Sequence, residues 1–169
     1  MIELTESQIQ DYLRRSYFSV DGLWFMKIEE RYGFDTALDT DDEVWKILPK
    51  IQARLMKSFS NLKEGLHALR ENLETKLVID GFKFDIVRDE PDDGFTVHIS
   101  ECPWYSLLVK SNREHLAALI ANRICTTEFT VWASQFGDDI ECIFLRRLCE
   151  KSKTCSIQFI VKKRTHGTS

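Results

Sequence analysis

The spacing of apolar residues changes once along this chain, and that change restricts the folds open to it. Val44, Leu48, Ile51, Leu55 and Phe59 recur at helical intervals, and so do Leu62, Leu66, Leu69 and Leu73. From Phe82 the interval becomes two. Phe82, Phe84 and Ile86 alternate with Lys83, Asp85 and Val87, and after a turn Phe95, Val97 and Ile99 alternate with Thr96, His98 and Ser100. An interval of two puts successive side chains on opposite faces of a strand. The chain therefore begins with helices and continues into a hairpin.

Capping signals place the elements. Thr5-x-x-Gln8 has capping-box spacing, with Ile9, Tyr12 and Leu13 as a short apolar stripe behind it. A second helical stretch runs from Val20 to Tyr32 and stops at Gly33. Its run Leu23-Trp24-Phe25-Met26 predicts a well-buried element. Thr40-x-x-Glu43 opens a third helix, which Pro49 kinks or bounds, and Asn61-x-x-Glu64 opens a fourth. Asp89-Glu90-Pro91-Asp92-Asp93-Gly94 is the hairpin turn. Helices are then expected from Ser111 to about Asn122 and from Thr127 to Phe136. Strands follow over Ile140–Cys149 and Thr154–Lys163, joined by Lys151-Ser152-Lys153. The fold class is α+β, with helices packed on a four-stranded antiparallel sheet built from two hairpins. Residues 1–163 are expected to form one domain and 164–169 a mobile tail.

Composition narrows the function. The 169 residues carry 23 basic and 27 acidic side chains, a net charge of −4, which argues against a general nucleic-acid binder. No apolar run approaches the roughly 20 residues that span a bilayer. The start Met1-Ile2-Glu3-Leu4-Thr5-Glu6 does not resemble a signal peptide. A cytoplasmic setting is expected, with thiols reduced.

Five cysteines, Cys102, Cys125, Cys142, Cys149 and Cys155, carry the chemical signal. Cys125 is expected just before a helix, where free amides favour the thiolate. Cys149 and Cys155 flank the last turn. Cys102 is held at a strand end by Pro103. This arrangement suggests a tetrahedral zinc site of Cys125, Cys149 and Cys155 with Cys102 as fourth ligand, although the compact Cys-x-x-Cys pairing is absent. Buried, merely reduced thiols are the competing reading. Cys142 is expected to be a small buried hydrophobe.

Aromatics supply a second signal. Tyr17, Phe18, Trp24, Phe25, Tyr32 and Phe34 cluster in one stretch, as core or as the wall of a pocket for a small apolar or aromatic molecule. Asp21 and Lys27 lie inside that stretch, where a polar group either orients a ligand or emerges at the surface. Trp104 and Tyr105 adjoin Cys102 and are pocket candidates together with Trp24 and Phe25. His98 is a candidate ligand contact or base. Asp39, Asp41, Asp42 and Glu43 are read as an acidic helix start favoured by the helix dipole.

Several of these segments together resemble an uncharacterised family of small prokaryotic proteins. They are Ser16-Tyr17-Phe18-Ser19-Val20-Asp21-Gly22-Leu23-Trp24-Phe25, Cys102-Pro103-Trp104-Tyr105, Arg123-Ile124-Cys125, Trp132-Ala133-Ser134-Gln135-Phe136-Gly137 and Cys149-x5-Cys155-x3-Phe159. More distantly, the last third is similar to vinyl-reductase-type ligand-binding domains and to the L-2-amino-thiazoline-4-carboxylate hydrolase family. The first group includes sensors of aromatic effectors, haem-based sensors and vesicle-transport subunits. That resemblance implies helices on an antiparallel sheet, an internal pocket and often a homodimer. It also implies zinc held by three cysteines, matched here by Cys125, Cys149 and Cys155, and by a glutamate whose position is Arg146.

Three functions follow as expectations. The first is a cytoplasmic small-molecule-binding domain with a structural zinc and an unidentified ligand, a tetrapyrrole among the possibilities. The second is a hydrolase of a cyclic C–N or thiazoline substrate, with Cys102 or Cys125 attacking and His98 as base. The third is a non-catalytic assembly subunit, which expects a tight oligomer and an empty pocket.

Overall fold

The computed structural model describes residues 1–89 and 93–162. The tip of the first hairpin turn and the expected tail at 164–169 lie outside them. The elements, in chain order, are α1 (Glu6–Tyr32), α2 (Phe34–Trp45), α3 (Leu48–Phe59), α4 (Gly65–Asp80), β1 (Lys83–Asp89), β2 (Gly94–Glu101), α5 (Pro103–Lys110), α6 (Ala117–Ser134), β3 (Ile140–Arg146) and β4 (Cys155–Val161). Short 3-10 turns at Glu114–Leu116 and Leu148–Glu150 precede α6 and β4. The fold is α+β. Its sheet is antiparallel throughout in the order β1-β2-β4-β3, so β2 and β4 join the two hairpins at the centre.

Several helix boundaries differ from the sequence expectation. The two stretches expected before Gly33 are one helix of 27 residues, opened by the Thr5 box, in which Thr5 N–H donates to Gln8 Oε1 at 2.9 Å. Nothing between Leu13 and Val20 breaks a helix, so the run continues. Gly33, at φ 89°, ends α1 and turns directly into α2, a backbone angle that favours glycine. The acidic group 39–43 therefore lies inside α2. Pro49 sits in the first turn of α3, where its missing N–H costs nothing. Pro103 does the same for α5, a helix the sequence reading left out, with Cys102 at its N-cap. The two helices expected over 111–136 are a single α6, and Ser111 caps the end of α5.

The core lies between one sheet face and α3, α4 and α6. Phe95, Val97, Ile99, Ile157 and Phe159 point inward from the central strands. Leu69, Leu73 and Leu77 of α4 and Phe129, Trp132 and Ala133 of α6 meet them, all buried. Phe95 and Phe159 pair across β2 and β4 with their rings stacked at 5.0 Å. Each such side chain contributes about 1.5–3 kcal/mol by leaving water. A smaller cluster of Leu38, Trp45 and Ile124 lies beneath α1, with Phe25, Phe34, Trp104 and Ile120 against it. The expectation that 23–26 would be well buried fails: Leu23 is 56% and Trp24 67% exposed. In that run Phe25 packs on the cluster beneath α1, and Met26 is 41% exposed.

Candidate functional site

The helical layer holds a cavity of about 170 Å³. α1 contributes Phe18, Asp21, Gly22 and Phe25 to its wall, and α2 contributes Asp41 and Trp45. Trp104 and Leu107 come from α5; Ile120, Ile124, Cys125 and Glu128 come from α6. The aromatic side is tightly knit. Trp104 lies 4.2 Å from Phe18 and 5.8 Å from Trp45, the latter edge to face. Arg113 lies at the wall but is committed elsewhere, donating to both oxygens of Glu29 at 2.6 and 2.8 Å.

Three carboxyls share this apolar wall, and each follows from a charged residue set in an inward helical stripe. On α6 the stripe reads Ile124, Cys125, Glu128, Phe129, Trp132. Glu128 is buried and accepts from Lys76 Nζ at 2.7 Å, and the same ammonium donates to Asp80 at 2.6 Å. Burial would lower the Lys76 ammonium, but Glu128 and Asp80 outweigh it and hold the group above its usual range. Asp21 follows Phe18 by one turn of α1. Asp41 follows Ala37 and Leu38 on α2 and precedes Trp45. Neither carboxyl has a hydrogen bond or ion pair among the described residues. Burial pushes Asp21 up to about 6, with Glu128 adding to it. Burial likewise pushes Asp41 up to about 7, helped by the charge of Asp21. Trp45 is 3% exposed, and its Nε1–H has no acceptor in hydrogen-bonding geometry among the described residues. Its indole still lies near enough to Asp41 to oppose part of that rise.

Sequence reasoning missed Asp41, Trp45, Glu128 and Lys76. The available signal was a charge placed where the helical interval demands an apolar residue, as Lys76 stands between Leu73 and Leu77. Asp41 was concealed because α2 was expected to start beside it.

The pocket candidates divide. Trp104 and Phe25 line the cavity. Tyr105 is not on its wall. Trp24 borders a shallow surface groove with Val20, Leu23 and Tyr32. His98 projects from the sheet face opposite the core, where its Nδ1 is 3.0 Å from Ser156 Oγ.

The cysteine site does not form. Cys125 lies in the middle of α6, so no free helix amides favour its thiolate. Cys102, Cys125 and Cys155 all pack against the core cluster. Burial pushes Cys102 up to about 12 and holds Cys125 well above its usual range, each reinforced by neighbouring thiols. Cys155 Sγ accepts the Leu148 N–H at 3.1 Å, and burial raises Cys155 and the half-buried Cys149 as well. All five cysteines are free thiols. Among the described residues no three His, Cys, Asp or Glu side chains are arranged to hold a metal ion. The zinc site of Cys102, Cys125, Cys149 and Cys155 is therefore withdrawn. The hydrolase is withdrawn too, because its nucleophiles are protonated and His98 lies across the sheet from them.

Known proteins were compared with this chain. No curated protein sequence matches it. A solved structure of similar fold is a trafficking protein particle complex subunit 3 from Naegleria fowleri, covalently bound to palmitic acid. It is 14% identical, with a TM-score of 0.51, and the match covers 94% of this chain and 98% of that one. At that identity the likeness is one of fold. The unformed cysteine site is what overturns the reading as a small-molecule-binding domain built around zinc. A family model matches residues 3–161, and the chain accordingly belongs to DUF6125, a family of unknown function.

Proposed function

We propose that the protein is a non-catalytic assembly module that pairs with a second copy of itself through α1. One observation carries this reading: an exposed, largely apolar stripe runs along α1. Positions 9, 13, 16, 20, 23 and 27 alternate by four and three residues, the spacing of a helix–helix seam. They hold Ile9, Leu13, Ser16, Val20, Leu23 and Lys27, flanked by Tyr12 and Trp24. Leu13, Val20 and Leu23 are 60%, 57% and 56% exposed. A run of exposed apolar side chains along one helix is characteristic of a covered surface, and a seam favours another helix as its cover. Two copies of α1 packed antiparallel supply that cover by two-fold symmetry.

The fold likeness to a subunit of a trafficking complex supports assembly as the role. The palmitic acid of that protein has no evident counterpart here. The cavity is small, the thiol facing it is protonated, and three carboxyls share its wall. Five free thiols suit a cytoplasmic setting. A second exposed stripe, Ile47, Ile51, Leu55 and Phe59 at intervals of four on and beside α3, provides a face for a different subunit.

Sedimentation velocity over a range of concentrations tests the pairing. The wild-type chain is expected as a dimer, and Leu13→Glu with Leu23→Glu as a folded monomer with unchanged far-ultraviolet circular dichroism. A wild-type chain that stays monomeric at high concentration, or a double variant that still pairs, refutes it.

A further inference from the structure

We propose that the cavity beneath α1 binds a small hydrophobic primary amine, its apolar body against Trp45 and Trp104 and its ammonium against Asp21 and Asp41. The inference does not rest on pairing through α1, and it departs from the sequence-based picture of an assembly subunit with an empty interior.

Size comes first. A cavity of about 170 Å³ is close to the roughly 150 Å³ of an engineered apolar cavity that accepts benzene. It therefore suits one aromatic ring or a short alkyl body. The wall fits such a body, with Phe18, Phe25, Trp45 and Trp104 on its aromatic side.

Charge comes second. Glu128 is compensated by Lys76 at 2.7 Å, and Arg113 is committed to Glu29. Asp21 and Asp41 remain without a cation, although both face the cavity. Two uncompensated carboxyls in an apolar wall are costly when ionised. An ammonium entering between them offsets that cost, and aromatic faces stabilise it further. A carboxylate ligand meets only repulsion there. The rise of both aspartates describes the same deficit from the side of the empty protein, since each lacks the positive charge that would keep it ionised.

Two further observations point to an occupant. The buried Trp45 Nε1–H has no acceptor in hydrogen-bonding geometry among the described residues and lies beside Asp41, where it favours the same ionised carboxylate that an ammonium pairs with. Gly22 stands mid-helix on the cavity wall, and a Cβ built there meets nothing within 4 Å. Glycine at such a position costs the helix about 0.5–1 kcal/mol relative to alanine. On this proposal the amine enters through the open space beside Gly22.

The test uses 2-phenylethylamine, 3-phenylpropionate and ethylbenzene, with calorimetry and the fluorescence of Trp45 and Trp104 as readouts. The amine is expected to bind at least tenfold more tightly than the acid of similar shape. Asp21→Asn with Asp41→Asn, which keeps the side-chain volume, is expected to weaken the amine at least tenfold and to leave ethylbenzene unchanged. Gly22→Leu is expected to weaken both amine and hydrocarbon while the helix is retained. The monomeric Leu13→Glu, Leu23→Glu variant is expected to keep amine binding, so failure of the pairing and failure of the cavity site are told apart. Equal affinity for amine and acid, amine binding unchanged in the double Asn variant, or no binding of the amine at millimolar concentration overturns the proposal.

Discussion

Lys76 shows how strongly a single side chain can be constrained. Its ammonium is 6% exposed and lies between Asp80 and Glu128, and it also sits 5.7 Å above the Trp132 ring. Removing one partner of a buried ion pair leaves the other charged and unpaired, at about 3–5 kcal/mol. Lys76→Met alone is therefore expected to lower the unfolding free energy by about that amount in urea titration. Lys76→Met combined with Glu128→Leu is expected to recover part of the loss, because an apolar pair replaces the buried ion pair while Asp80 stays without its cation. A loss in the double variant as large as in the single one would show that the charges themselves specify the packing.

At the scale of elements, α2 is held to α6 by more than its apolar stripe. Asp42 accepts from Thr127 Oγ1 at 2.6 Å and pairs with Arg123 at 3.2 Å across the interface. It also pairs with Lys46 on its own helix at 3.1 Å. The clasp ties together two of the helices that wall the cavity. Asp42→Ala leaves the Thr127 hydroxyl and the guanidinium of Arg123 without this acceptor. A loss of about 2–3 kcal/mol is expected, together with faster amide hydrogen exchange in α2 than in α4. Uniform loosening of all helices would place the clasp's role elsewhere.

Across the whole molecule, the half-buried carboxyls Asp21 and Asp41 make stability depend on pH in an unusual direction. Asp21 and Asp41 titrate near 6 and 7 when folded, against 3.8 for an ordinary aspartate. The folded state thus binds protons more tightly than the unfolded chain. Their contribution is complete below the unfolded value and is lost as pH rises through 6 and 7, at up to about 1.4 kcal/mol per pH unit for each proton. The paired carboxyls Asp11 and Glu71 act oppositely. Arginine partners lower both, so their smaller contribution is lost only on further acidification. The unfolding temperature without ligand is expected to be higher at pH 5.5 than at pH 8, and Asp41→Asn is expected to flatten that difference. An unfolding temperature that climbs steadily from pH 5.5 to 8 would contradict the placement of these groups. A saturating amine flattens the trend, since it holds the pair ionised in the folded state as it is in the unfolded chain.

The α+β class, the two hairpins and the inward face of β1, β2 and β4 were legible in the sequence, because alternation along Phe82–Ile99 and Cys155–Phe159 is a local property of an extended backbone. The Thr5 cap and the stop at Gly33 were legible for the same reason. Which apolar residues would be covered was not. Leu23, Trp24 and Phe25 read alike in sequence, yet only Phe25 meets α2 and α6. The cysteines illustrate the opposite limit: spacing suggested that four would converge on a metal, but their surroundings depend on how α6 and β4 pack. The cavity depended wholly on tertiary structure. Asp21, Asp41 and Glu128 lie on three different helices, and burial, which gives them their chemistry, exists only once those helices have packed together.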